Sequence, residues 1–560
     1  MQISFIVSKK IVFLFVLHLL FYPLLAQQNE TLRTPTKQDT LNGSITPERV
    51  WWDIQHYALC VKPDYLNKSI TGKNEIEYNV INSKHSDLMQ IDLVSPLKID
   101  SVFQKGKKIE YTQDQNIWYL KLPQKQALKN NKILIYYSGK PTESIKPPWD
   151  GGLVWAKDSL NRPWISVACQ YKGASLWYPC KNTMYDEPDK GASISITVPD
   201  TLTAVGNGRL VSQIKNRDNT ATYNWEVKNP ISHYGISFYA GKYVNINQTF
   251  KGENGKLDMD FWILDYNKVK AESHLIPGTT TAIKSLEHWF GPYPFYEDGF
   301  KIVDAPYIGM EHQSAIAYGG GYKNGTNKKG GDISNTGWGK KTDKIIVHEI
   351  SHEWFGNNIT AIDIADRWIQ EGFAGLGEEL VIADLHGRKA GNEFMAGRFR
   401  TIQNDKPVIA RYGINEDGSN DNYVKGWAVM HMIGTIINND DKFRKLLRSL
   451  NQDFHNKTVT TNEIETYVSK KSGIDFDYLF DQYLRTNKVP VLEYKYKNGE
   501  LSYRYSNCNS NFSMPIKTNY SKDNWLFPST SWKTFKVDNE HSISDFKIDI
   551  NFYLTLKQVE

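Results

Sequence analysis

Residues 348–352 read His-Glu-Ile-Ser-His inside the helix-like stretch 343–355, and this pattern constrains the fold more than any other part of the chain. Residues four apart on a helix lie one turn above each other, so His348 and His352 can face one ion while Glu349 projects beside them. Alone, the pattern fits a polar helix face as well as a metal site. Glu371 shifts the balance, because the eighteen residues between it and His352 accommodate a helix end, a connection over 357–366 and a second helix that returns a carboxylate to the same point. Two imidazoles and one carboxylate leave a coordination position for water, which is the open shell of a catalytic zinc and not the closed shell of a structural one. The expected cofactor is one Zn²⁺ per chain, held by His348, His352 and Glu371.

A chain of 560 residues is longer than one hydrophobic core supports, so several domains are expected. Thirty-two Tyr and 16 Trp point to strand-rich segments and buried aromatic clusters. The net charge of +5 comes without a long Lys/Arg block and gives no reason to expect nucleic acid as a partner. At the N-terminus Lys9 and Lys10 precede an apolar run over 11–25 that ends at Ala26, followed by Gln27, Gln28 and Asn29. This is the pattern of a signal peptide, with cleavage expected near Ala26 and export to the periplasm or the extracellular space. The run is shorter than the ~20 residues of a spanning helix, so no stable membrane span is expected after cleavage; an uncleaved anchor is the alternative. Cys60, Cys169, Cys180 and Cys508 show no metal-binding spacing. Cys169 and Cys180 are close enough to pair, and buried free thiols are equally compatible with the sequence.

The coarse division is a signal peptide over 1–26, a polar mobile linker over 27–45, an all-β domain over 46–255, a mainly helical domain over 256–489 and a small β domain over 490–560. Strand-like alternation marks 76–81, 132–137, 193–198 and 222–227, and returns at 491–496, 501–505 and 546–556. Helical periodicity marks 279–290, 341–355, 369–385, 424–437 and a run near 461–484. The Gly-rich interval 319–339 lacks the Gly-Lys-Ser/Thr adjacency of a phosphate-binding loop and reads as a flexible surface loop.

His-Glu-Ile-Ser-His-Glu-Trp-Phe-Gly-Asn at 348–357, followed by Trp-Ile-Gln-Glu-Gly-Phe-Ala at 368–374, resembles the gluzincin aminopeptidases, the family of aminopeptidase N and leukotriene hydrolase. Further matches are Gly309-Met310-Glu311-His312, Tyr423 in Tyr-Val-Lys-Gly-Trp-Ala, Trp51-Trp52-Asp53, and the segments around Gln170 and 177–180. The resemblance implies a multidomain α+β protein with a saddle-like N-terminal β domain and a thermolysin-like catalytic domain. Here the catalytic domain is followed by a small β domain in place of the large helical one that many relatives carry. An open cleft that admits longer peptides would follow. The implied activity is zinc-dependent removal of the first residue from peptides with a free N-terminus. Glu349 would be the general base, Tyr423 the stabiliser of the oxyanion, and Glu311 the acceptor of the substrate amine, with Gly309 and Met310 beside the substrate backbone. Gln170 stands either as a second amine contact or as an ordinary turn residue. Ile308 and His312 depart from the family's usual Gly and Asn. Glu378, Glu379, His312 and His431 read either as partners that orient metal ligands or as solvated and salt-bridged helix residues, and His56 reads as structural. The rival functions are an endopeptidase or epoxide hydrolase on the same zinc site, and a non-catalytic binding protein. Blocking the peptide N-terminus separates the first of these from an aminopeptidase.

Overall fold

A computed structural model describes residues 34–560 except 85, 124–125, 171, 327–328, 520–524 and 538–545. The expected signal peptide lies outside the described residues. The N-terminal part is built on an eight-stranded sheet in which Trp52–Asp64 pairs antiparallel with Ser69–Val80 and parallel with Ala192–Pro199. Alternation explains the packing: Ile76, Tyr78 and Val80 point inward from one strand while Glu75 and Glu77 take the other face. A four-stranded sheet that includes Gly152–Lys157 and Pro163–Ala168 adds a second layer. Trp51, Trp52, Tyr57, Trp177, Tyr178 and Trp225 are buried in this part of the chain. All four cysteines are free thiols, and Cys169 and Cys180 are buried.

The next sheet begins earlier than expected. Tyr243–Gly252 and Gly255–Leu264 form a hairpin that joins Phe300–Asp304, Ile316–Tyr318 and Gly309–Met310, so a boundary at 255/256 would cut one sheet in two. Strand alternation shows that a segment is a strand but not which sheet it joins. The expected polar linker also differs: Lys37–Gly43 is a short helix, α1, with a capping box between Thr36 and Asp39. The buried Arg49 guanidinium fixes it by donating to the carbonyls of Leu41 (2.8 Å), Asn42 (3.2 Å) and Ser44 (3.2 Å).

The helical part contains α2 (Ile276–Phe290), α3 (Lys344–Ser351), α4 (Trp368–His386), α5 (Arg388–Phe399), α6 (Val424–Ile437), α7 (Asp440–Asp453), α8 (Thr461–Ser472) and α9 (Asp477–Leu484). Asp343 caps α3 by accepting from the Ile345 amide at 3.1 Å, and Tyr318 and His274 hold the same carboxylate at 2.7 and 3.0 Å. Helix α4 is buried for most of its length and carries glycines where α6 crosses. A Cβ at Gly372 would come within 2.8 Å of the Gly426 backbone, so glycine on both helices sets how closely they approach. Helix α7 went unread, although Phe443, Leu446, Leu447 and Leu450 follow the i, i+3, i+4, i+7 spacing of a buried face.

The small C-terminal β part shares one continuous core with these helices: Leu492, Leu501, Tyr505, Met514 and Phe552 pack into the cluster that contains Trp368 and Trp427. Of the expected 546–556 strand only Thr555 and Leu556 enter a sheet, as the start of Thr555–Gln558, and Phe546 and Phe552 are instead buried from irregular backbone. The Gly-rich interval 319–339 is tied down at Ser334 and Trp338. Arg400 donates to the Ser334 carbonyl at 2.6 Å and Trp338 to Glu393 at 2.8 Å. No helix of the described residues is long and apolar enough to cross a membrane.

Candidate metal centre

One turn of α3 places the Nε2 atoms of His348 and His352 3.3 Å apart. The other ring nitrogens are engaged: His348 Nδ1 lies 2.8 Å from Glu378 Oε1, and His352 Nδ1 lies 3.0 Å from the Phe355 carbonyl. Both Nδ1 atoms therefore donate outward, and the Nε2 lone pairs converge. From α4, Glu371 brings Oε2 to 3.4 Å from His348 Nε2 and 3.5 Å from His352 Nε2. That oxygen is buried and has no hydrogen-bond donor. Tetrahedral bonds of about 2.0–2.1 Å require ligand atoms about 3.3–3.4 Å apart, so the three atoms fit one zinc ion. A second group, Glu311, Glu349 and His352, also lies within 4.8 Å. It lacks the converging pair of imidazoles.

The electrostatics express the same need for a cation. Burial lowers the pKa of His352, but Glu311, Glu371 and Glu349 outweigh it and hold the metal-free imidazole at about 10. Burial pushes Glu349 up to about 7 against the pull of the two histidines. Zinc binding must therefore displace protons.

Around this point stand the other expected residues. A Cβ at Gly309 would meet Glu349 Oε1, and would stand 2.8 Å from Ile345 Cγ2, so glycine there leaves room for the Glu349 carboxylate. Gly309–Met310 is an edge strand paired on one side with Ile316–Tyr318. Glu311 follows it, fully enclosed, with its carbonyl fixed by Asn357 Nδ2 at 2.9 Å. Tyr423, half-buried at the start of α6, stacks on His348 with ring centroids 6.0 Å apart. Gln170 reaches in from the N-terminal domain, and its Nε2 donates to Glu311 Oε1 at 3.1 Å and Glu371 Oε1 at 3.0 Å. The structure thus brings His348, His352, Glu371, Glu349, Glu311, Gln170, Tyr423 and Gly309 to one place, with Met310 beside them only as the strand neighbour of Gly309 and Glu311.

The remaining expectations separate. Glu378 and Glu379 are buried, not solvated, and diverge: Glu378 holds His348, while Glu379 accepts from Trp427 Nε1 at 2.8 Å and pairs with His431 at 2.9 Å. His431 Nε2 in turn meets Asn551 at 3.0 Å, which ties α6 to the C-terminal part. His312 is fully buried, and burial drops its pKa to about 3; its ring meets the Tyr239 hydroxyl at 2.5 Å. His56 lies against Ser193 in the N-terminal sheet, remote from the centre. Sequence reasoning missed Tyr234, which is buried beside Glu311 and accepts from Gln370 at 3.2 Å. It also missed that Asn42 and Gly43 of α1 wall a cavity reaching Gln170 and Tyr234.

Residues 280–483 match the peptidase family M1 domain and residues 54–234 match the peptidase M1 N-terminal domain, together more than half of the chain. The chain belongs to peptidase family M1. It is similar to aminopeptidase Ey of Gallus gallus, 23% identical over 523 residues, covering 86% of this chain and 51% of the relative. It is also similar to aminopeptidase N of Canis lupus familiaris, 22% identical over 414 residues, covering 68% of this chain and 41% of the relative. The chain spans about half the length of the curated relatives it matches. Two crystal structures of a mutant M1 zinc metallopeptidase from Deinococcus radiodurans share the fold, one of them bound to a Tyr-Ser-Ala substrate. Both superpose with a TM-score of 0.65, at 19% and 18% identity, covering 80% of this chain and 97% of theirs. Glu378 holds the His348 imidazole, and Glu378→Gln is expected to weaken zinc binding about 10- to 100-fold. Equilibrium dialysis against a zinc buffer checks this, and an unchanged affinity would refute the orienting role.

Proposed function

We propose that this M1 protein is a zinc-dependent aminopeptidase acting on peptides with a free N-terminus. The observation that carries the reading is the Gln170–Glu311–Glu371 cluster, which places an enclosed carboxylate and an amide beside a metal ligand. When bound, zinc supplies Lewis acidity and lets water react as a nucleophile near neutral pH. Glu349 takes the proton of the attacking water and returns it to the leaving amine. The Tyr423 hydroxyl donates to the oxygen that gains charge, and the free edge of Gly309–Met310 offers backbone groups to the peptide. Glu311 accepts a charge-assisted hydrogen bond from the substrate ammonium, and with the Gln170 NH₂ directed to the two carboxylates, its carbonyl oxygen is a second acceptor.

Glu311→Ala tests the amine site. The kcat/KM for unblocked peptides is expected to fall about 10- to 100-fold, the worth of a hydrogen bond to a charged group. Unaltered kcat/KM would remove the exopeptidase reading while leaving a zinc hydrolase.

We also propose export, supported by Lys9, Lys10 and the apolar run that follows. N-terminal sequencing of the protein from its own cells is expected to start near residue 27, and a start at Met1 would contradict it.

A further inference from the structure

Helix α1 lies outside both segments that match the family, yet it joins the two domains that build the site. Buried groups hold it on the N-terminal side. Besides the three carbonyls that Arg49 binds, the Leu41 carbonyl accepts from Gln90 Nε2 at 3.3 Å, and the Arg49 charge is met by Asp92 at 2.5 Å. On the catalytic side the last residue of α1, Gly43, lies against the backbone of Ile414 and Asn415. A Cβ there would stand 2.1 Å from the Asn415 nitrogen and 2.7 Å from the Ile414 nitrogen. Backbone cannot swing aside as the end of a side chain can, so the approach requires glycine. The facing loop is itself fixed, since the Gly413 amide donates to Asp363 at 2.8 Å.

Between these anchors lies a cavity of about 60 Å³ whose lining includes Asn42, Gly43, Gln170, Met184, Tyr234 and Asn415. Two of these residues belong to the amine site. Gln170 donates to Glu311 at 3.1 Å, and Tyr234 is buried beside the same carboxylate. The amine and the side chain of a residue leave one Cα, so a first residue whose ammonium sits on Glu311 has its side chain within reach of this cavity. The space holds about four to six waters, the bulk of a Leu, Met or Gln side chain and short of the rings of Phe or Trp.

We infer that α1 is a specificity-determining wall of the pocket for the first residue's side chain, which admits side chains up to the size of Met or Gln and rejects Phe and Trp. The inference rests on the aminopeptidase reading and names the class of peptide it takes. The rejection follows from the anchors: a larger side chain would have to drive α1 off Arg49 or into the backbone at 414–415. The wall acts on the first residue alone and sets no limit on peptide length.

The test compares Leu-Ala-Ala, Gln-Ala-Ala, Phe-Ala-Ala and Trp-Ala-Ala on the zinc-loaded wild type, Gly43→Ala and Met184→Ala. The wild type is expected to favour the Leu and Gln peptides over the Trp peptide about 10- to 100-fold in kcat/KM, the cost of forcing an oversized group into a packed site. Gly43→Ala pushes the end of α1 off the facing backbone and Met184→Ala removes a side chain from the lining, so the ratio is expected to fall towards one in both. Each ratio is read on one protein, so a smaller folded fraction cancels. Equal rates on the Leu and Trp peptides in the wild type, or a preference that survives either substitution, would overturn the wall while leaving the aminopeptidase reading intact. Calorimetric binding of the same peptides to zinc-loaded Glu349→Gln reads the ratio without turnover, so failure of the peptidase reading is seen separately.

Discussion

Glu349→Gln is expected to lower kcat/KM on unblocked peptides by about 10²–10⁴, the usual worth of a positioned general base, while zinc remains bound at one per chain. The substitution is nearly isosteric, and the glycine at 309 leaves room for the amide as for the carboxylate. An amide cannot take the proton of the attacking water, so the loss should fall on kcat more than on KM. Steady-state kinetics beside metal analysis checks this. Activity within tenfold of wild type would show that another group is the base.

Removal of zinc is expected to abolish turnover and to lower the melting temperature by several degrees. At free zinc a thousandfold above Kd, the ion contributes about 4 kcal/mol to the folded state. The metal-free site should stay folded, because protonated histidines partly compensate the carboxylates. Its His352 is held at about 10, so binding at neutral pH expels a proton. The sign follows: protons compete for the ligands, zinc affinity falls as pH falls, and the slope is about tenfold per pH unit for each proton released. Full activity after chelation, or an affinity independent of pH between 6 and 8, would contradict the assigned ligands.

The metal ligands were legible because their geometry is local: two histidines four apart on one helix, and a carboxylate returned by the next. Gln170 was only half legible. It sits on a loop 201 residues from Glu371, and nothing in a lone glutamine marks it as pointing between two carboxylates. The start of the catalytic sheet was hidden for another reason: 243–264 alternates like the strands before it, and pairing is a long-range choice. Helix α1 escaped notice because its stability comes from the Arg49 contacts, not from an apolar face. Helix α7, by contrast, carried a readable periodicity.

Release of free amino acids from matched unblocked and N-acetylated peptides by the zinc-loaded protein, with and without chelator, decides whether the chain is a zinc aminopeptidase. Chelator-sensitive trimming of the unblocked peptides alone is the predicted result. Cleavage of the acetylated peptides at a comparable rate would contradict it, because the Glu311 and Gln170 cluster would then not be reading a free amine.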